Sequence, residues 1–165
     1  MFKDSFKNNA IEVETFNSCA TIVTLTGEMA IPPNVWDAFP DKITNWMWHH
    51  PSIDASWGKC TVDKEVIRLE VTGKSVCAKG DIFDAETGKR IAESRAKIKL
   101  YKFVHNLCEK IMKYYYSIMY GNAEFDIIRE SHIEAPQDCL YLTCQKYREL
   151  WIKECHHLGK LLEEA

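Results

Sequence analysis

Hydrophobic and polar positions change period several times along this 165-residue chain, and the changes mark its elements. Residues 1–10 are polar and read as a frayed start. The run 11–25 is rich in Thr, Val and Ile, which predicts a strand. Gly27 interrupts it, and 29–31 continue it until Pro32-Pro33 stops it. Residues 34–49 read as a short helix or helical turn broken near Pro40. A second start at Asp41 leads into Ile43, Trp46 and Met47 at helical spacing. His49-His50-Pro51 ends it, because a residue before proline avoids the α region. Residues 57–62 and 66–71 predict a hairpin around Asp63-Lys64-Glu65, with Ile67, Leu69 and Val71 alternating with Arg68, Glu70 and Thr72. Past Gly73 the apolar positions move to Val76 and Ala78, which predicts a one-residue bulge at Gly73.

At Asp84 the period becomes helical. Asp84 suits an N-cap, and Thr87 stands three residues on. The pattern then runs to about Tyr120 and stops at Gly121-Asn122. Leu100, Val104, Leu107, Ile111, Tyr114 or Tyr115, and Ile118 make its apolar stripe. Residues 124–136 lack a clear period and read as a loop with a short element. Residues 137–162 predict a second long helix with a stripe of Leu140, Cys144, Tyr147, Trp151, Cys155, Leu158 and Leu162. The expected architecture is one α+β domain over 1–165, a small antiparallel sheet packed by two long helices. Gly88 sits in the first turns of the first helix, where glycine costs about 1 kcal/mol against alanine. With Ala92 and Ala96 it makes a small-residue seam, suited to the sheet or to the same helix of another subunit.

Charge sharpens this outline. The chain carries a net charge of −3, unevenly spread. Residues 1–88 hold 8 basic and 13 acidic side chains, and residues 121–165 hold 5 basic and 9 acidic. Residues 89–113 reverse the balance, with 8 basic and 2 acidic. Such a cationic segment either pairs with its acidic neighbours or faces an anionic ligand. The start MFKDSFKNNA lacks the apolar core of a secretory signal, and no run is long enough for a membrane span. The expected place is therefore the cytoplasm, with seven cysteines kept reduced and mostly buried.

Several constellations could carry chemistry. Arg95, Lys99, Lys102 and Lys113 fall close to one helical face, and Lys89 and Arg90 crowd the first turns. That face could hold phosphate. Asp81, Asp84 and Glu86 already supply negative charge at the helix start, so an anion would meet Arg95 and Lys99 on the flank. Trp36, Trp46, Trp48 and Trp57 could fill the core or stack on a base. Trp48 and Trp57 flank the polar segment 49–56 and are the two suited to a ligand. Cys139, Cys144, Cys155, His156 and His157 do not have zinc spacing, and the acidic set Asp126, Glu130, His132 and Glu134 has no fixed spacing. No metal or other cofactor is expected. No nucleophile turn, phosphate-binding glycine loop or paired-carboxylate motif is present, so no enzyme is expected. His49, His50 and Cys60 would be the residues to suspect in one.

The stretch 73–99 also resembles a pattern of small proteins from phages and prophages of Gram-positive bacteria. There a strand ending near a cysteine leads through an Asp-x-Phe-Asp turn into a helix carrying Gly-Lys-x-x-Ala-x-x-Arg-Ala-x-x-Lys. The matching positions are Cys77, Asp81, Phe83, Asp84, Gly88, Lys89, Ala92, Arg95, Ala96 and Lys99. Some such proteins resemble anti-defence sponges, which sequester cyclic nucleotide immune signals. The resemblance implies a homo-oligomeric binding protein in the bacterial host cytoplasm, taking a small anionic ligand such as a cyclic nucleotide without cleaving it. Arg95, Lys99, Lys102 and Lys89 would hold phosphate, and Trp48 or Trp57 would cover a base. The alternatives are a protein–protein inhibitor of a host factor, or a nucleic-acid binder using the same basic helix.

Overall fold

A computed structural model describes residues 4–16, 20–30, 59–63, 66–78, 80, 82, 84–120 and 135–164. Four antiparallel strands, β1 (Asp4–Phe16), β2 (Ala20–Ala30), β3 (Lys59–Asp63) and β4 (Val66–Val76), form one sheet in the order β1-β2-β4-β3. Two long helices follow, α1 (Ala85–Tyr120) and α2 (Ala135–Glu164). The α+β class with a small antiparallel sheet and two long helices is the observed architecture. The layering is specific: α1 packs on β2 and β4, and α2 packs mainly on α1.

The strands depart from the sequence pattern in three places. The start is not frayed, because β1 begins at Asp4 and pairs along β2. The run 11–25 is two strands rather than one, with the break between Phe16 and Ala20. Gly73 carries no bulge. Ladder pairs run unbroken from Ala20 opposite Val76 to Ala30 opposite Val66, and Gly73 stands opposite Val23. The inner face keeps one phase throughout, through Thr21, Val23 and Leu25 on β2 and Leu69, Val71, Gly73 and Ser75 on β4. Val76 lies outside it and is 57% exposed.

A different reason explains Gly73. A Cβ there would clash with the Ala92 carbonyl oxygen and lie 2.6 Å from the Ala96 amide nitrogen, both backbone atoms of α1. The helix therefore rests its backbone directly on the strand. The small-residue seam packs against the sheet, with Ala92 and Ala96 fully buried over Gly73. Above the seam, Phe103, Val104, Leu107 and Ile111 are buried, and burying each such side chain contributes roughly 1.5–3 kcal/mol.

On its other side α1 meets α2 in antiparallel fashion. The Tyr101 and Tyr147 rings pack with centroids 5.9 Å apart, and Leu140, Cys144 and Tyr147 join the core. Past Tyr147 the buried phase of α2 drifts from the sequence stripe. Leu161 is buried, whereas Leu162 and Cys155 are exposed. Lys97 bonds Glu93 at 2.6 Å. Burial pulls its pKa down, but Glu93, together with Glu154 across the interface, outweighs that and raises it.

Residues 34–49, the segment 49–56 and the set Asp126, Glu130, His132 and Glu134 lie outside the described residues. No described helix is long and apolar enough to cross a membrane.

Candidate functional site

The cap of α1 is built as its residue types require. Asp84 Oδ1 accepts from the Glu86 amide at 3.0 Å, Asp84 Oδ2 accepts from the Thr87 hydroxyl, and the Gly88 amide donates to the Asp84 carbonyl at 2.9 Å. The Thr87 hydroxyl, then the Glu86 amide, hold the Asp84 carboxyl below its ordinary pKa. The helix start is thus already satisfied by the chain's own carboxylate. Before it, Gly80 takes φ +103°, a left-handed conformation that permits the tight turn out of β4.

Beside this cap lies a cleft of about 460 Å³, within the range of small-molecule sites. Three elements converge on it. The end of β4 and the residues after it give Ser75, Val76, Cys77 and Ala78, the first turns of α1 give Gly88, Ile91 and Arg95, and the last turn of α2 gives Leu162 and Glu164. Its rim is mixed: exposed Ile82 (95%), Val76 (57%) and Leu162 (50%) stand beside exposed Asp84 and Glu164.

The basic face of α1 leads away from the cleft. Arg95 Nη1 donates to the Lys74 carbonyl at 2.6 Å, and Lys99 Nζ donates to the Thr72 carbonyl at 2.8 Å. Lys102 leans the other way and holds its Nζ 5.3 Å from the centre of the Trp151 ring on α2. Each of the three is restrained by an uncharged group. Among the described residues, none of them has a carboxylate partner. The charges of Arg95, Lys99 and Lys102 are therefore positioned without a carboxylate contact among the described residues.

Of the sequence-predicted residues, Arg95 lines the cleft, and Lys99 and Lys102 continue from it along α1. Lys89 is half-buried on the first turns and is not among the described residues lining the cleft. Trp48 and Trp57 lie outside the described residues, as do His49 and His50. Cys60 falls in β3.

One cluster escaped the sequence reading. His105 Nδ1 lies 3.2 Å from both the Cys144 carbonyl oxygen and Cys144 Sγ, and His105 Nε2 lies 3.9 Å from Glu109 Oε1. The residue types match a thiol–imidazole–carboxylate relay, but the placement does not suit one. Cys144 is a buried core residue between α1 and α2, and its thiol also reaches the His105 carbonyl at 3.8 Å. A substrate could reach it only by parting the helices, so the trio fastens the helix pair. The available signal was a histidine flanking the apolar stripe of α1 and a cysteine on that of α2.

The described cysteines, Cys77, Cys108, Cys144 and Cys155, are free thiols, with Cys108 and Cys144 buried and Cys155 exposed. Among the described residues no group of three or more His, Cys, Asp or Glu side chains could hold a metal ion. The chain matches no protein-family model, no curated protein and no solved structure.

Proposed function

We propose that this protein is a phage anti-defence binding protein of the host cytoplasm that captures a nucleotide-derived signal without cleaving it. The observation that carries the reading is the row of Arg95, Lys99 and Lys102 on α1, none with a carboxylate partner among the described residues, which starts at a cleft holding the exposed apolar side chains of Val76, Ile82 and Leu162. A helix face that served only solubility would pair its cations with carboxylates or leave them free in water. Arg95 and Lys99 are instead held in place by β4 carbonyls, which lowers the ordering cost of receiving an anion. Arg95 keeps further N–H donors after bonding Lys74. The cleft also contains the carboxylates of Asp84 and Glu164. A simple polyanion would be repelled there, whereas a nucleotide offers phosphate to Arg95, hydroxyl and amine donors to carboxylates, and a planar base to Val76, Ile82 and Leu162. The phage setting rests on the resemblance of the stretch 73–99.

Isothermal titration against cyclic mono- and dinucleotides and linear monophosphates tests the reading. Binding should weaken in Arg95→Gln, which keeps a donor for the Lys74 carbonyl but removes the charge. Heatless titrations across the panel, or affinity unchanged by Arg95→Gln, would overturn it. The exposed cations also suit a second reading, nucleic-acid binding along α1. That reading predicts affinity for long single strands that falls steeply with added salt.

A further inference from the structure

We infer that the site is bipartite: Lys102, seated on Trp151 two helical turns beyond Arg95, forms a second anion subsite, so the preferred ligand carries two separated anionic groups, as an end-phosphorylated dinucleotide does. The inference rests on the reading of Arg95 as the first anion contact.

Helix geometry sets the spacing. Seven residues separate Arg95 from Lys102, which sets their Cα atoms about 10 Å apart along the axis and only about 20° apart around it. The two side chains therefore leave α1 from one side and then diverge, Arg95 to β4 and Lys102 to α2. Lys99 stands between them and is tied down to the Thr72 carbonyl.

Lys102 differs from an ordinary surface lysine in being held. Its ammonium lies over an indole face, and Trp151 is itself half-buried, backed by the His105 ring at 6.0 Å. Such a contact fixes a long side chain while leaving N–H donors pointing away from the ring. Lys102 is exposed and has no carboxylate partner among the described residues, so those donors are open to a ligand. The cleft at Arg95 is sized for one nucleotide unit with its base on Val76, Ile82 and Leu162, and Lys102, two turns further on, is not among the residues lining it. A second phosphate would engage it.

The test is calorimetric titration of the whole protein with the four nucleoside 5′-monophosphates and with the matching dinucleotides phosphorylated at both ends. At least one dinucleotide should bind roughly tenfold more tightly than its monophosphate, the size of one charge-assisted contact. Lys102→Gln should erase that gap and leave monophosphate affinity unchanged, and Lys102→Arg should restore it. Lys160→Gln on α2 makes the same change in net charge and should leave the gap intact. Equal affinity for the two ligand lengths, or equal losses in Lys102→Gln and Lys160→Gln, overturns the second subsite while the Arg95 reading stands. If no probe binds, cyclic or linear, short or long, both fall together.

Discussion

Replacing Gly73 by alanine sets two physical effects against each other, and the structure says which should win. Inside a strand, glycine carries an entropic penalty of roughly 0.5–1 kcal/mol against alanine, so propensity alone makes Gly73→Ala stabilising. Packing says otherwise. The new methyl would overlap the Ala92 carbonyl oxygen and stand 2.6 Å from the Ala96 amide nitrogen, where ordinary contact begins at 3.4 Å. Both obstacles are helix backbone, so no side chain can rotate away. Relief requires α1 to lift from β4 by more than about 1 Å, and a gap of that size forfeits roughly half or more of the dispersion energy across the contact. Overpacking of this kind costs typically 1–3 kcal/mol and occasionally more. Because the lift also loosens Leu100 and Phe103 farther along α1, the upper end applies. Subtracting the propensity gain leaves a net loss of about 2 kcal/mol. At roughly 2–4 °C per kcal/mol for a chain of this size, the melting temperature should fall by about 4–8 °C. Thermal melts followed by circular dichroism measure it. A variant that melts at or above the parent temperature would refute the backbone-on-backbone contact.

The other glycines make contrasting predictions in the same assay. Gly159 lies within α2 with nothing within 4 Å of an added Cβ, so Gly159→Ala should stabilise by up to about 1 kcal/mol. Gly80 has equal space but φ +103°, so Gly80→Ala should destabilise by roughly 1–2 kcal/mol through strain alone. Asp84 has a folded pKa below its unfolded one, so its contribution is present above about pH 4 and is lost as pH falls through the lowered value. Asp84→Ala should lower the melting temperature at neutral pH, and the difference from the parent should shrink in acid; a difference that grows in acid would contradict the cap. Cys77 lines the cleft as a partly exposed free thiol. A bound ligand should slow its alkylation, read by peptide mass spectrometry, with exposed Cys155 unaffected.

Legibility in the sequence followed the range of the interactions. α1 could be read from Asp84 to Tyr120 because its cap, period and stop are all local. The β3–β4 hairpin was legible for the same reason. The β1–β2 break was hidden because Asn17-Ser18-Cys19 is a short interruption in a long run of strand formers. The polar start of β1 was misleading because pairing along β2 uses backbone groups, which polar residues carry as well as apolar ones. Gly73 was read as a bulge because periodicity reports which face a side chain takes, not how close a helix comes. At the site, spacing alone put Arg95, Lys99 and Lys102 on one face. Their partners, Lys74, Thr72 and Trp151, depend on where strand and second helix lie, which no local pattern encodes. The same limit hid the share of the cleft given by Leu162, more than eighty residues beyond Cys77 in the chain.

The antiparallel course of α2 has a practical consequence for anyone handling the protein. It returns Leu162 and Glu164 to the mouth of the cleft, so any group attached at those two residues would hang over the opening. Binding measured with such a group would report on the group as much as on the site. Immobilisation through those residues would press the opening against the support. Probes and anchors belong instead on the exposed middle of α2, for example at Lys153 or His157, away from the cleft lining.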